Sequence, residues 1–138
     1  MEEREQRMIT PLGGVAIKVV AGETLYEGEV VYIKITSGAD GKVWKAPLDS
    51  DMPVGIVYQD AAANANCWIV VSGIAYVLPT AGVTAARGNV IYCSASTAGR
   101  VDQATTVPAI TTHVREVGHF LDTGSGNGAK TRAIIHWN

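Results

Sequence analysis

The residues able to do chemistry in this sequence are few and scattered. Its three histidines are His113, His119 and His136. None sits in an HxH or HExxH spacing that would bring two imidazoles to one metal ion, and no CxxC pair is present. His119 and His136 fall near corresponding strands, and Asp122 can join them in a two-histidine, one-carboxylate arrangement. Isolated histidines are far commoner than such centres, so no metal and no cofactor is expected. Ser72-Gly73 follows Val71, so the GxSxG nucleophile elbow is missing. Cys93 with His113 or His119 would make a nucleophile–base pair, but nothing in the local sequence supports it. Asp49-Ser50-Asp51 lacks the glycine and terminal glutamate of a calcium loop and reads as a turn into Pro53. The glycines from Gly124 to Gly128 lack the lysine of a phosphate loop in its required place, and a strand follows instead of a helix. They read as a hairpin tip. Trp44, Trp68 and Trp137 are candidates for stacking on a sugar. Trp68 and Trp137 lie in or beside apolar strands, which favours a core or a subunit interface. No catalytic residue emerges, and the expectation is a protein that is not an enzyme.

Composition narrows the class. The chain has 138 residues, 47% apolar and 17% charged, with 15 glycines and a formal net charge of −2. That is too apolar for a disordered chain and too lightly charged for a long surface helix. β-branched runs punctuated by glycine point to strands and turns. A nucleic-acid binder shows a basic stripe, because each neutralised phosphate adds affinity. Here Arg4 and Arg7 are interleaved with Glu2, Glu3 and Glu5, so no nucleic-acid partner is expected. The charged opening, MEEREQRMITP, has no apolar core behind it and does not read as a secretory signal. No apolar run approaches the ~20 residues that span a bilayer. No membrane is expected, and the chain reads as soluble and made in a cytoplasm. Cys67 and Cys93 read as reduced, buried small side chains; a disulfide cannot be deduced from their spacing.

The elements that must position these residues come in two copies. AGETLYEGEVVY at 21–32 and AGVTAARGNVIY at 81–92 share six of twelve positions. The match continues: 28–46 aligns with 88–104, VGIVYQD (54–60) with VGHFLDT (117–123), and CWIVVSG (67–73) with RAIIHWN (132–138). The differences in length fall in turns, where insertions are tolerated. The periodicity is two, with both faces partly apolar around Val30–Ile35, as in a sandwich or small barrel. Asp40-Gly41 is a hairpin turn. Turn spacing gives roughly eight to ten strands. Ala61–Ala65 and Thr84–Arg87 form at most a turn each, and Thr105–His113 reads as a loop or edge strand. The expected fold is all-β, a compact β-barrel or sandwich of two tandem similar units. The divisions are an extended N-terminal arm, 1–12, and one β domain, 13–138, with its repeats at about 13–79 and 80–138. The arm is either a frayed terminus or a segment that orders against a partner. Met8 and Ile9 would give it an apolar foot beside Arg4 and Arg7, and Pro11 ends it.

The order AG-x-T, G-x-V-x-Y, turn, G-basic-V, VGIV, strand, SG, LP resembles the capsid decoration (cement, head-stabilising) proteins of tailed bacteriophages. VAIKVVAGET, GEVVYI, GKVWKA, MPVGIVYQDA and CWIVVSGIAYVLP carry it across Val15–Pro79, and TAGVTAARGNVIY, AGRV and VGHFLDTGSGNGAKTRAIIHW continue it. No residue of that pattern is catalytic. The resemblance implies a structural protein on the outer surface of the virion. It would bind the major capsid protein, commonly as a trimer, and stabilise the expanded head by bridging capsid subunits. Many weak contacts acting together on a lattice suit that task. Arg4, Arg7, Met8, Ile9 and Pro11 are then the candidate capsid contacts. The alternative is a carbohydrate- or host-surface-binding module of a virion, using Trp44, Trp68 and Trp137.

Overall fold

The computed structural model describes residues 6–34, 40–50, 52–105 and 115–137. Arg4, His113 and all of the expected loop Thr105–His113 except Thr105 itself lie outside them. The described residues form ten strands and no α-helix. They are β1 (Arg7–Ile9), β2 (Val15–Ala21), β3 (Val30–Tyr32), β4 (Lys42–Lys45), β5 (Pro53–Val57), β6 (Asn66–Val77), β7 (Val90–Cys93), β8 (Val101–Gln103), β9 (Glu116–Phe120) and β10 (Thr131–Ile135). The all-β expectation holds.

The pairing order is β1-β2-β4-β3-β5-β6-β10-β9-β7-β8, with β6 also paired to β2. That extra pairing closes β2, β4, β3, β5 and β6 into a five-stranded barrel. The second half follows the same route. β6, β10, β9, β7 and β8 are paired in turn, and a parallel bridge from Pro79 to Val101 returns the chain after β6 to β8. It corresponds to the parallel pairing of Ala21 with Val43 in the first half. Strand β6 therefore serves both rings. Its first part pairs with β2 as far as Ser72, and its last part, from Gly73, pairs with β10. Gly73 sits at the changeover with φ +87, and a Cβ there would lie 2.6 Å from the Gly13 carbonyl oxygen. Only glycine meets both conditions.

The likeness of the halves extends to irregularities. β3 and β5 slip in register after Val31↔Gly55, and β7 and β9 slip after Ile91↔Gly118. In each case one extra residue, Val54 or Val117, makes a bulge. Gly28 N donates to Val57 O, and Gly88 N to Phe120 O, closing the same contact twice. The last repeat segment needs a correction. Val57 pairs with Ile69, and Phe120 with Ala133, so Cys67 corresponds to Thr131 and not to Arg132. A one-residue slip in a strand exchanges its faces. Burial agrees, since Cys67 and Thr131 are buried whereas Trp68 and Arg132 are half-buried. Apolar runs align almost as well out of step, and the stretch from Phe120 to Thr131 is one residue longer than the corresponding stretch from Val57 to Cys67.

Inside the first ring, Leu25, Val31, Val43, Val57 and Ile69 pack together. Inside the second, Ile91, Val101, Phe120 and Ala133 do so, in one cluster with Ile56 and Val70 from the outer face of the first. The corresponding pairs Val57–Ile69 and Phe120–Ala133 trade volume, large against small, and fill similar space. The repeated Ala-Gly-x-Thr phrase is used differently in each copy. A Cβ on Gly22 would lie 2.1 Å from the Trp44 ring, so this glycine lets Trp44 lie on the backbone. Gly82 has open space around it but needs φ +94.

Two outcomes follow from this packing. A Cβ on Gly118 would stand 1.9 Å from the Ile134 carbonyl oxygen, whereas one on Gly55 meets the movable Ile69 side chain at 2.8 Å. Gly118→Ala should therefore destabilise the fold by more than about 3 kcal/mol, and Gly55→Ala by less, measured by urea unfolding. Cys67 and Cys93 are buried and no disulfide joins them, and burial pushes the Cys67 thiol up to about 11. Burial stabilises the protonated thiol, so its contribution is intact below the ordinary thiol pKa and is lost as pH rises. Unfolding free energy should fall between about pH 9 and 11, and iodoacetamide should label Cys67 at pH 8 only after denaturation.

Candidate functional site

Within the described part of the arm, Arg7–Ile9 is extended and already paired. Arg7, Met8 and Ile9 align antiparallel with Ile17, Ala16 and Val15, making β1 the outermost strand of the sheet order. The turn joining it to β2 is tight. Gly14 N donates to Thr10 Oγ1 at 3.0 Å, and Thr10 N to Gly14 O at 2.8 Å. The alternation of a strand then splits the expected contact residues. Met8 packs against the core, while Arg7, Ile9 and Pro11 face solvent. Ile9 is 74% exposed, the most open of the large apolar side chains described. Of the two residues of the expected apolar foot, Ile9 is therefore the one that faces outward. In the turn that follows, Pro11 and Leu12 line a groove of about 250 Å³ with Tyr58, Ile74 and Tyr76.

The three tryptophans do not form a platform. Trp44 covers Gly22 and carries the Lys34 ammonium 4.7 Å above its ring. Trp68 packs against the core from β6. Trp137 donates from Nε1 to Val71 O at 2.7 Å. All three are half-buried, and no ring–ring contact joins any of them among the described residues.

The histidine arrangement is partly as its sequence order suggests. His119 and His136 do meet, with ring centroids 5.0 Å apart. Asp122 does not join them. It accepts from Arg132 Nε at 2.7 Å and Nη2 at 2.9 Å, and these bonds hold its carboxyl below the usual carboxylate range. That fork closes the base of the β9–β10 hairpin. The carboxylate between the imidazoles is Glu116. Its Oε2 lies 3.1 Å from His136 Nε2 and 3.9 Å from His119 Nε2, and the residue is only 3% exposed. Sequence reasoning missed it because residues three apart face opposite sides of a regular strand. The available signal was the Val-Gly of the bulge, Val117-Gly118, which matches Val54-Gly55.

The glycine-rich tip is braced rather than loose. Arg100 Nη1 donates to Pro79 O at 2.9 Å and to Gly128 O at 3.0 Å. At the same tip, Lys130 Nζ reaches Glu27 Oε1 at 3.0 Å, tying the second half to the first and raising the lysine's pKa. These interactions account for the basic residues around the tip as structural ties.

No protein-family model matches the chain, and no curated protein matches its sequence. Among solved structures, the chain is similar to the N base of head fiber gp8.5 in bacteriophage phi29. The TM-score is 0.64 at 9% identity, over 88% of this chain and 92% of that one. At that identity the two share the path of the backbone, and no residue's role carries from one to the other.

Proposed function

We propose that this protein is a structural, non-catalytic component of a bacteriophage virion that sits on the outer surface of the head. In this reading it stabilises the expanded head by bridging major capsid subunits. The observation that carries the proposal is the fold shared with a phage head fiber base, over nearly the whole of both chains. The order of short phrases resembling capsid decoration proteins points the same way. The shape suits the task. Closed rings hide most strand edges, while β1, outermost among the described strands, offers an edge where a neighbouring chain can add a strand. Ile9 at that edge supplies an apolar contact, with Arg7 beside it. A trimer is the proposed assembly, formed by the same chain on a symmetry axis of the lattice.

Purified protein should co-sediment saturably with expanded, undecorated heads of its own phage and not with unexpanded shells. Failure to bind either would overturn the proposal. The edge has its own test. Because Ile9 points away from the body, Ile9→Asp should leave the melting temperature unchanged and weaken capsid binding about tenfold or more, some 1.4 kcal/mol. Equal binding by the variant would remove β1 from the contact.

A further inference from the structure

The geometry points to a divalent transition-metal site, of the kind that takes Zn²⁺, formed by Glu116, His119 and His136. The ligand atoms of the three all lie within 4.8 Å of one another. Zinc bonds of about 2.0–2.2 Å at tetrahedral angles put ligands about 3.3 Å apart. The observed 3.1 Å and 3.9 Å from Glu116 Oε2 bracket that spacing. Rotation of the two imidazoles, both nearly half exposed, completes the closure. Two imidazoles and one carboxylate select zinc-like ions over magnesium and calcium, which prefer all-oxygen shells.

Three features show how the site is built. The bulge at Val117 turns Glu116 and His119 onto the same side of β9, against the alternation of a regular strand. His136 N donates to Val117 O at 2.9 Å, which sets the third ligand against the bulge. His119 Nδ1 lies 3.1 Å from Gly88 O. With Nδ1–H donating there, Nε2 keeps its lone pair and faces Glu116, the second-shell arrangement that metal-bound histidines use.

The internal repeat supplies the control. By register, Glu116 corresponds to Pro53, His119 to Ile56 and His136 to Ser72. The same bulge therefore forms in the first half with no ligand-forming set. The fold does not require these three side chains to converge, yet in the second half a nearly buried carboxylate is set beside two imidazoles. The ion would pin the segment after β10 to β9, with water in the remaining positions on the solvent side.

The test is titration of chelator-washed, dialysed protein with ZnCl₂ by calorimetry, with thermal unfolding in parallel. The expected result is one Zn²⁺ per chain and a raised melting temperature, with no comparable effect of MgCl₂ or CaCl₂. His119→Ala and His136→Ala alter half-exposed side chains and should keep the native circular dichroism spectrum. Each should weaken zinc binding at least about a hundredfold, since even second-shell losses cost ten- to a hundredfold. Glu116→Gln should do the same where it folds. Absence of saturable binding, binding unchanged in both histidine variants, or equal binding of Ca²⁺ would overturn the assignment.

Discussion

A single strand belonging to two closed rings is the constraint on which the rest of this structure depends. β6 runs 12 residues and must leave β2 and take β10 without breaking. It does so at Gly73, where the left-handed backbone and the close pass of Gly13 leave no room for a side chain. Neither ring is complete without its stretch of β6, so each half presents the other with a preformed edge. The ties between halves reinforce this. Val30 N donates to Gly99 O, Gly99 N donates to Ala46 O, and Trp137 anchors on Val71. Closed rings also keep backbone donors and acceptors paired where an open sheet of this length would expose them.

Much of the architecture was legible in the sequence because a repeat states each rule twice. Strand type, turn positions and two similar units follow from Val-rich segments set at fixed distances from glycines. What stayed hidden was register. Matching CWIVVSG to RAIIHWN put Arg132 where Thr131 belongs, since apolar runs align almost as well one residue out of step. Hydrogen bonding between strands resolves that ambiguity, and no local property of the chain does. The two AG phrases show a related limit. Gly22 is needed for a tryptophan ring and Gly82 for its backbone angle, and identical letters cannot tell these reasons apart.

The side-chain clusters were legible to a lesser degree. Proximity of His119 and His136 follows from their neighbouring strands, but the carboxylate between them depends on a bulge. Asp122 is close in sequence and is held instead by Arg132, two strong bonds outweighing one weaker attraction. The split of Met8 inward and Ile9 outward is a simple consequence of alternation once residues 7–9 are known to pair.

The divergence of the halves at the β9 bulge has a consequence for assembly along the chain. On the first ring, Ile56 and Val70 are buried in the cluster shared with the second ring. The matching positions on the second ring hold His119 and the partly exposed Ile134, with Glu116 beside them. In stacked-repeat architectures a terminal unit changes its outermost residues from apolar to polar, and that change stops the stack from growing. The second ring makes that change at one of the two positions, His119, and keeps an apolar residue, Ile134, at the other. A tandem duplication that kept Ile56 and Val70 in both copies would leave a sticky outer wall, open to head-to-tail polymerisation. An imidazole in place of one of that pair makes the outer wall of the second ring a poorer seat for another ring than the wall of the first.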